Sequence, residues 1–207
     1  MTSVSAVSSE QFASLLAQRR SVRDFSETSI TLPQLLSVVA AGQGITGPEG
    51  LRATPSAHRL FPLVLRIVVR RVQGLEQGLY DYFPETNELV SVATLPAEGA
   101  MLDASLASDF WLEDAACVVV VCANLSKALA HFSEQDDAHQ RRGQRYVDFE
   151  AGAASQNMHL QAITAGLGAI VVMGIDEAAL KQCLMVPDDL EVVSALCVGH
   201  SALTEGA

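Results

Sequence analysis

Apolar residues recur along this chain with two periods, and the switches between them lay out its elements. Behind the capping box Ser8-Ser9-Glu10-Gln11, Phe12, Leu15 and Leu16 form an i, i+3, i+4 stripe that predicts a first helix running up to the Arg19 region. A second start, Thr31-Leu32-Pro33-Gln34, turns Leu35, Leu36 and Val39 inward, with Gly42 as its stop. Leu63 to Val72 is rich in branched residues and predicts a strand carrying Arg66 and Arg70 on one face, followed by a turn and a second strand through Tyr82. Asp103 to Phe110 is read as helical and Trp111 as core. Cys117 to Cys122 predicts a buried strand, and Asn124 caps a helix reaching about Glu134. A long helix of small residues begins near Tyr146 and stops at a glycine before a strand over 169–173. Asp176 caps a short helix ending near Leu184, and Val192 to Val198 is the last strand. Hairpin-like pairs mixed with long helices predict an α+β fold, and no linker divides residues 1–207, which predicts a single domain.

Two segments fall outside this periodicity. Residues 43–59 form a long loop punctuated by glycine and proline, and loops of that length in a small domain are usually functional. Residues 133–145 are polar and read as a charged loop or frayed helix end.

Composition narrows the function. A formal charge of −11 and a pI near 4.7 argue against nucleic acid or an anionic membrane as partner. The longest apolar runs, Ala115 to Ala123 and Ala165 to Ile175, fall short of the roughly 18–20 residues of a spanning helix, and the N-terminus lacks a secretory pattern, so a cytoplasmic location is expected. With 49% hydrophobic residues the chain carries more apolar material than one surface hides, which predicts a homodimer. No Cys-x-x-Cys pair occurs among Cys117, Cys122, Cys183 and Cys197, and the five histidines show no metal-type spacing, so reduced cysteines and no metal site are expected.

Three segments could carry chemistry. Arg19, Arg20 and Arg23 surround Ser21 just past the first helix; arginine's planar fork suits a phosphate, although cations at a helix C-terminus also complement its dipole. Pro55-Ser56-Ala57-His58-Arg59-Leu60-Phe61-Pro62 is a proline-framed loop that presents backbone groups and a hydroxyl to a ligand, or an ordinary surface turn. The helix containing Gly152, Ala153, Ala154, Ala162 and Ala165 lets a flat ligand or another helix approach its backbone.

Taken together these segments resemble the nitroreductase-like family of flavoproteins. The resemblance rests on Arg19-Arg20-Ser21-Val22-Arg23-Asp24-Phe25, Pro55-Ser56-Ala57, Glu150-x-Gly152-x-x-x-Gln156-Asn157 leading to Gly166-Leu167-Gly168, and Val198-Gly199-His200, in the family's order. Leu75 to Tyr82 and Tyr146 to Gly152 look most like its SagB-type branch. The resemblance implies a mostly antiparallel sheet flanked by helices, an intertwined homodimer, and FMN at the subunit interface. Arg19, Arg20, Ser21 and Arg23 would hold the FMN phosphate and ribityl chain. Pro55, Ser56, Ala57 and Arg59 would approach the flavin from the partner, and Val171, Val172, Met173 and Gly174 would border its ring. It further implies NADH or NADPH as reductant and a small acceptor such as a quinone or nitroaromatic, with no side chain acting as nucleophile.

The chain departs from the family's pattern in two places. Nothing basic follows Lys181, and Arg59 stands where an asparagine is usual. Two rival readings are a peptide thiazoline or oxazoline dehydrogenase and a flavin-binding protein without turnover. The first needs a base, yet no lysine lies between Lys127 and Lys181, leaving His139 as a substitute.

Overall fold

A computed structural model describes residues 7–136 and 141–202; the reading of His139 lies outside them. In chain order the elements are α1 (Ser9–Gln18), β1 (Ile30–Thr31), α2 (Leu32–Gln43), β2 (Leu63–Val69), β3 (Val72–Gln73), β4 (Gly78–Phe83) and β5 (Glu88–Ala93). There follow α3 (Ala100–Asp103), α4 (Trp111–Asp114), β6 (Cys117–Ala123), α5 (Leu125–His131), α6 (Arg142–Thr164), β7 (Gly168–Val172), α7 (Glu177–Cys183) and β8 (Glu191–Gly199). Six strands form one antiparallel sheet in the order β5-β4-β2-β6-β8-β7, and β1 pairs with β3 in a small parallel ribbon. The α+β expectation, with its antiparallel sheet between helices, is met.

Side chains alternate across the sheet and feed two cores. Leu63, Leu65, Ile67, Val119, Val121 and Leu196 face α2, α5 and α6, while Val68, Val118, Val120, Ala195 and Cys197 face α3, α4 and α7. The central strand β6 is buried along its whole length, so a continuous run of valines there is the expected composition for a strand covered on both faces. Arg66 lies on the second face, 5% exposed, and is tolerated because Asp81, its register partner, meets it at 2.6 Å and the Leu184 carbonyl accepts at 2.6 Å.

The predicted capping box forms at Ser8 with Gln11, and the helix start at Thr31 is a second capping box, closed by Gln34. The glycine stop of α6 is a Schellman turn: Gly166 adopts φ +73°, the Leu167 N–H bonds the Ala162 carbonyl at 2.8 Å, and the Gly166 N–H bonds that of Ile163 at 2.9 Å.

Several boundaries and faces differ from the sequence reading. Gly42 does not stop α2; it lies inside the helix, where a Cβ would stand 2.7 Å from the Met158 sulfur, so glycine serves helix contact there. Residues 103–110 do not form one helix, since α3 ends at Asp103, Ser105 bridges to Ile175 and α4 begins only at Trp111, and β5 had no periodic signal because its side chains are largely exposed. Trp111 is half-buried at the edge of the second core rather than within it. The long helix begins at Arg142, before Tyr146. Phe12 and Leu16 do not pack inward; they are 51% and 45% exposed.

Candidate functional site

The arginine segment is an extended stretch pinned at consecutive points. The Arg19 N–H closes α1 on the Leu16 carbonyl, the Arg20 carbonyl lies 3.0 Å from His159 Nε2 of α6, and the Val22 N–H donates to the Ala169 carbonyl of β7 at 3.0 Å. Ser21 thereby bridges to Ala169 as a parallel extension of the sheet edge. Val22 packs over Gly168, whose Cβ would clash with it at 2.7 Å, so this glycine permits the close approach. Arg20, Ser21 and Arg23 are exposed and Arg19 is half-buried. Among the described residues none of the three arginines is paired with a carboxylate; Arg20 folds back on the Arg19 carbonyl at 2.8 Å, and Arg23 lies 5.6 Å from the centre of the Trp111 ring. Three unpaired cations in so acidic a chain are a ready anion site.

From Ala169 the strand leads directly to the second predicted segment. Val171 is 36% and Met173 66% exposed, Gly174 is exposed, and Val172 points into the opposite core, so only its backbone borders this face. Between β7 and α6 lies a groove of about 160 Å³ walled by Gly152, Ser155, Gln156, Val171, Met173 and Ser194. Nothing lies within 4 Å of where a Cβ on Gly152 would be, so the small residue faces open space rather than a helix contact. At Asp148, Met173 and Val193 the groove meets a wider one of about 390 Å³ bordered by Glu177 and Glu191. Its far end is therefore acidic, and its β7 wall belongs to the strand that pairs with Ser21 and Val22.

The loop at Pro55 sits elsewhere on α6. Asn157 donates to Thr54 Oγ1 at 3.3 Å, Thr54 donates to the Gly42 carbonyl at 2.6 Å, and the Ser56 hydroxyl accepts the Phe61 N–H at 2.9 Å. His58, Arg59 and Phe61 all take left-handed φ near +50°, a conformation costing about 1–3 kcal/mol each and concentrated at functional loops. Pro55 is exposed and Ser56 and Ala57 half-buried, whereas Arg59 is turned to Glu49 at 3.0 Å. No hydrogen bond or ion pair among the described residues joins Pro55–Arg59 to the arginines or to Val171–Gly174 of the same chain. The fold thus joins the arginine segment to Val171–Gly174 through β7, while the proline loop is tied to α6 through Thr54 and Asn157.

Two polar residues on α6 are missing from the predicted set. Glu150 is 3% exposed with Oε1 unpartnered; burial pushes its carboxyl up to about 7, against the opposing pull of the Ser56 hydroxyl and of Arg52. His159 is 3% exposed, and burial holds its imidazole below the ordinary value. Their signal was available: both are polar residues in a helix whose neighbouring Ala151, Ala154, Met158 and Ala162 face the core.

The nitroreductase family model matches residues 16–200, most of the chain and every segment just described. The chain belongs to the nitroreductase family. As a member of it, the protein is an oxidoreductase. It is 30% identical over 174 residues to a candidate nitroreductase of Methanocaldococcus jannaschii, covering 84% of each chain. A nitroreductase-like structure from Anabaena variabilis superposes with a TM-score of 0.74 at 25% identity, over 93% of this chain but 38% of that longer one. The Escherichia coli microcin synthetase McbBCD complex also reaches 0.74, at 20% identity over 98% of this chain and 76% of its own. The NADPH:FMN oxidoreductase of Vibrio harveyi, solved with NAD+, reaches 0.62 at 18% identity over 94% and 70%. These last two likenesses establish the nitroreductase fold alone.

Proposed function

We propose that this nitroreductase-family protein is an FMN-dependent homodimer that transfers hydride from NADH or NADPH to a small acceptor such as a quinone or nitroaromatic. The observation that carries this reading is the strip from the unpaired Arg19, Arg20 and Arg23 along β7 to the open groove at Met173. Ala169 and Met173 are four residues apart, roughly 13 Å along an extended chain, which suits a ligand with an anionic tail and a flat head. The donor set fits FMN: guanidinium groups and the Ser21 hydroxyl for a phosphate, and apolar Val171 and Met173 beside the small Gly152 for a ring. FMN, when bound, supplies the two-electron chemistry. The chain's part is to bind, orient and shield: Val171 and Met173 exclude water, the backbone of Val172 to Gly174 offers polar groups to a ring edge, and a second chain's Pro55–Ala57 loop closes the groove.

Purified protein should be yellow, release FMN on denaturation, bleach with NADH or NADPH, and then reduce a small quinone. Arg23→Ala should weaken FMN binding at least about tenfold, since each charge-assisted phosphate contact contributes about 1.5–3 kcal/mol. Unchanged affinity in that variant would return the arginines to dipole capping. Efficient azoline oxidation without quinone reduction would move the protein to the dehydrogenase reading.

A further inference from the structure

The backbone carrying the three arginines is tied down once from each side, and the tie at its centre is a side chain. Arg19 is held by α1 and Val22 by β7 through main-chain hydrogen bonds, but Arg20, between them, is held by the imidazole of His159 at 3.0 Å. A carbonyl only accepts, so Nε2 carries a proton, and the burial that holds the imidazole below its ordinary value favours the neutral ring in that tautomer. That neutrality suits the place: the ring is 3% exposed and close enough to Arg19 for the arginine's charge to disfavour protonation, alongside the larger effect of burial. A lysine here would set a buried cation against the cluster, and an aliphatic residue would remove the side-chain hydrogen bond to the Arg20 carbonyl.

We infer that His159 is a positioning residue for phosphate recognition, holding the Arg20 carbonyl so that the Arg19–Arg23 segment presents its guanidinium groups at a fixed spacing beside β7. The inference rests on the FMN reading above and deepens it. Two further features agree with it. The segment continues into pairing with the residues after β8, where the Ser26 N–H bonds the His200 carbonyl at 2.9 Å and Phe25 bridges Ser201, so the flanks are fixed and His159 adds a side-chain tie at Arg20 next to the Ser21–Ala169 bridge. His159 also lies four residues, about one turn, beyond Ser155 in the groove wall, so one helix sets both the ring end and the phosphate end.

The test compares FMN with riboflavin, which lacks the phosphate, by flavin-fluorescence titration of wild type, His159→Leu and His159→Gln. The expected result is FMN affinity weakened about five- to tenfold in His159→Leu, riboflavin affinity unchanged, and FMN binding largely restored in His159→Gln, whose amide N–H can reach the same carbonyl. Should His159→Leu fail to fold, His159→Asn replaces it, because asparagine keeps the polarity but is too short to reach. Equal losses for both flavins, no loss for either, or a glutamine variant as weak as leucine would overturn the role of His159 while leaving the FMN site standing. A wild type that binds FMN no better than riboflavin, or neither flavin, would overturn the phosphate site and the proposed function with it.

Discussion

The two faces of α6 are built from one helix and obey opposite rules. Its inner face, Val147, Ala151, Ala154, Met158 and Ala162, is buried against α2 and the sheet, with Met158 filling the space above Gly42. Its outer face carries Asp148, Phe149 at 74% exposure, the open Gly152 and Gln156. The inner face has no room and every change there is felt. The outer face has room and an exposed aromatic residue, Phe149. The contrast teaches that stability and proposed function are separable on this helix by a rotation of about 100° per residue.

The largest effect should come from the inner face. Met158→Ala should cost about 2–5 kcal/mol in denaturant unfolding, because the cavity is walled by α2 and the sheet and collapses poorly. Adding Gly42→Ala to that variant should recover part of the loss, whereas Gly42→Ala alone should destabilise by crowding the Met158 sulfur. Strict additivity of the two changes would show that the contact is not tight.

Glu150, on the boundary between the faces, should make stability depend on pH. Its carboxyl binds a proton more tightly folded, at about 7, than at its ordinary value of 4.5. The stability this adds is fully present below pH about 4.5 and is lost as pH rises through 7, an effect of at most about 3 kcal/mol. Glu150→Gln should therefore gain relative to wild type between pH 5 and 8; a constant difference across that range would mean the carboxyl is ionised throughout.

On the outer face, Gly152→Ala should raise stability by about 0.5–1 kcal/mol, since it improves a helix interior without touching anything. Gly152→Leu should fold as well and lose FMN binding by filling the groove. If Gly152→Leu binds FMN normally, the ligand does not lie there. Phe149→Ser should be the mildest for the chain itself, within about 0.5 kcal/mol, yet should shift the solution mass of the proposed homodimer toward monomer. An unchanged mass would mean that Phe149 does not lie in the proposed interface.

Much of this was legible in the residues because it is local. Ser8, Thr31, Asn124 and Asp176 cap helices by contacts within a few residues, Gly166 ends α6 by its own φ, and the valines of β6 need only be buried on both sides to read as a strand. The order of the arginine, proline-loop and small-residue segments was likewise written in the sequence. What it could not specify was distance. Only the tertiary structure laid Val22 over Gly168, joined the arginine segment to the strand that leads to Met173, and tied the proline loop to α6 through Thr54 and Asn157. Gly42 looked like a helix stop because its partner Met158 lies 116 residues on, and the stripe of Phe12 and Leu16 foretold a helix but not their exposure, because periodicity reports an apolar face without saying what covers it. The roles of Glu150 and His159 depend on burial, and burial is set by elements distant in sequence packing on one helix.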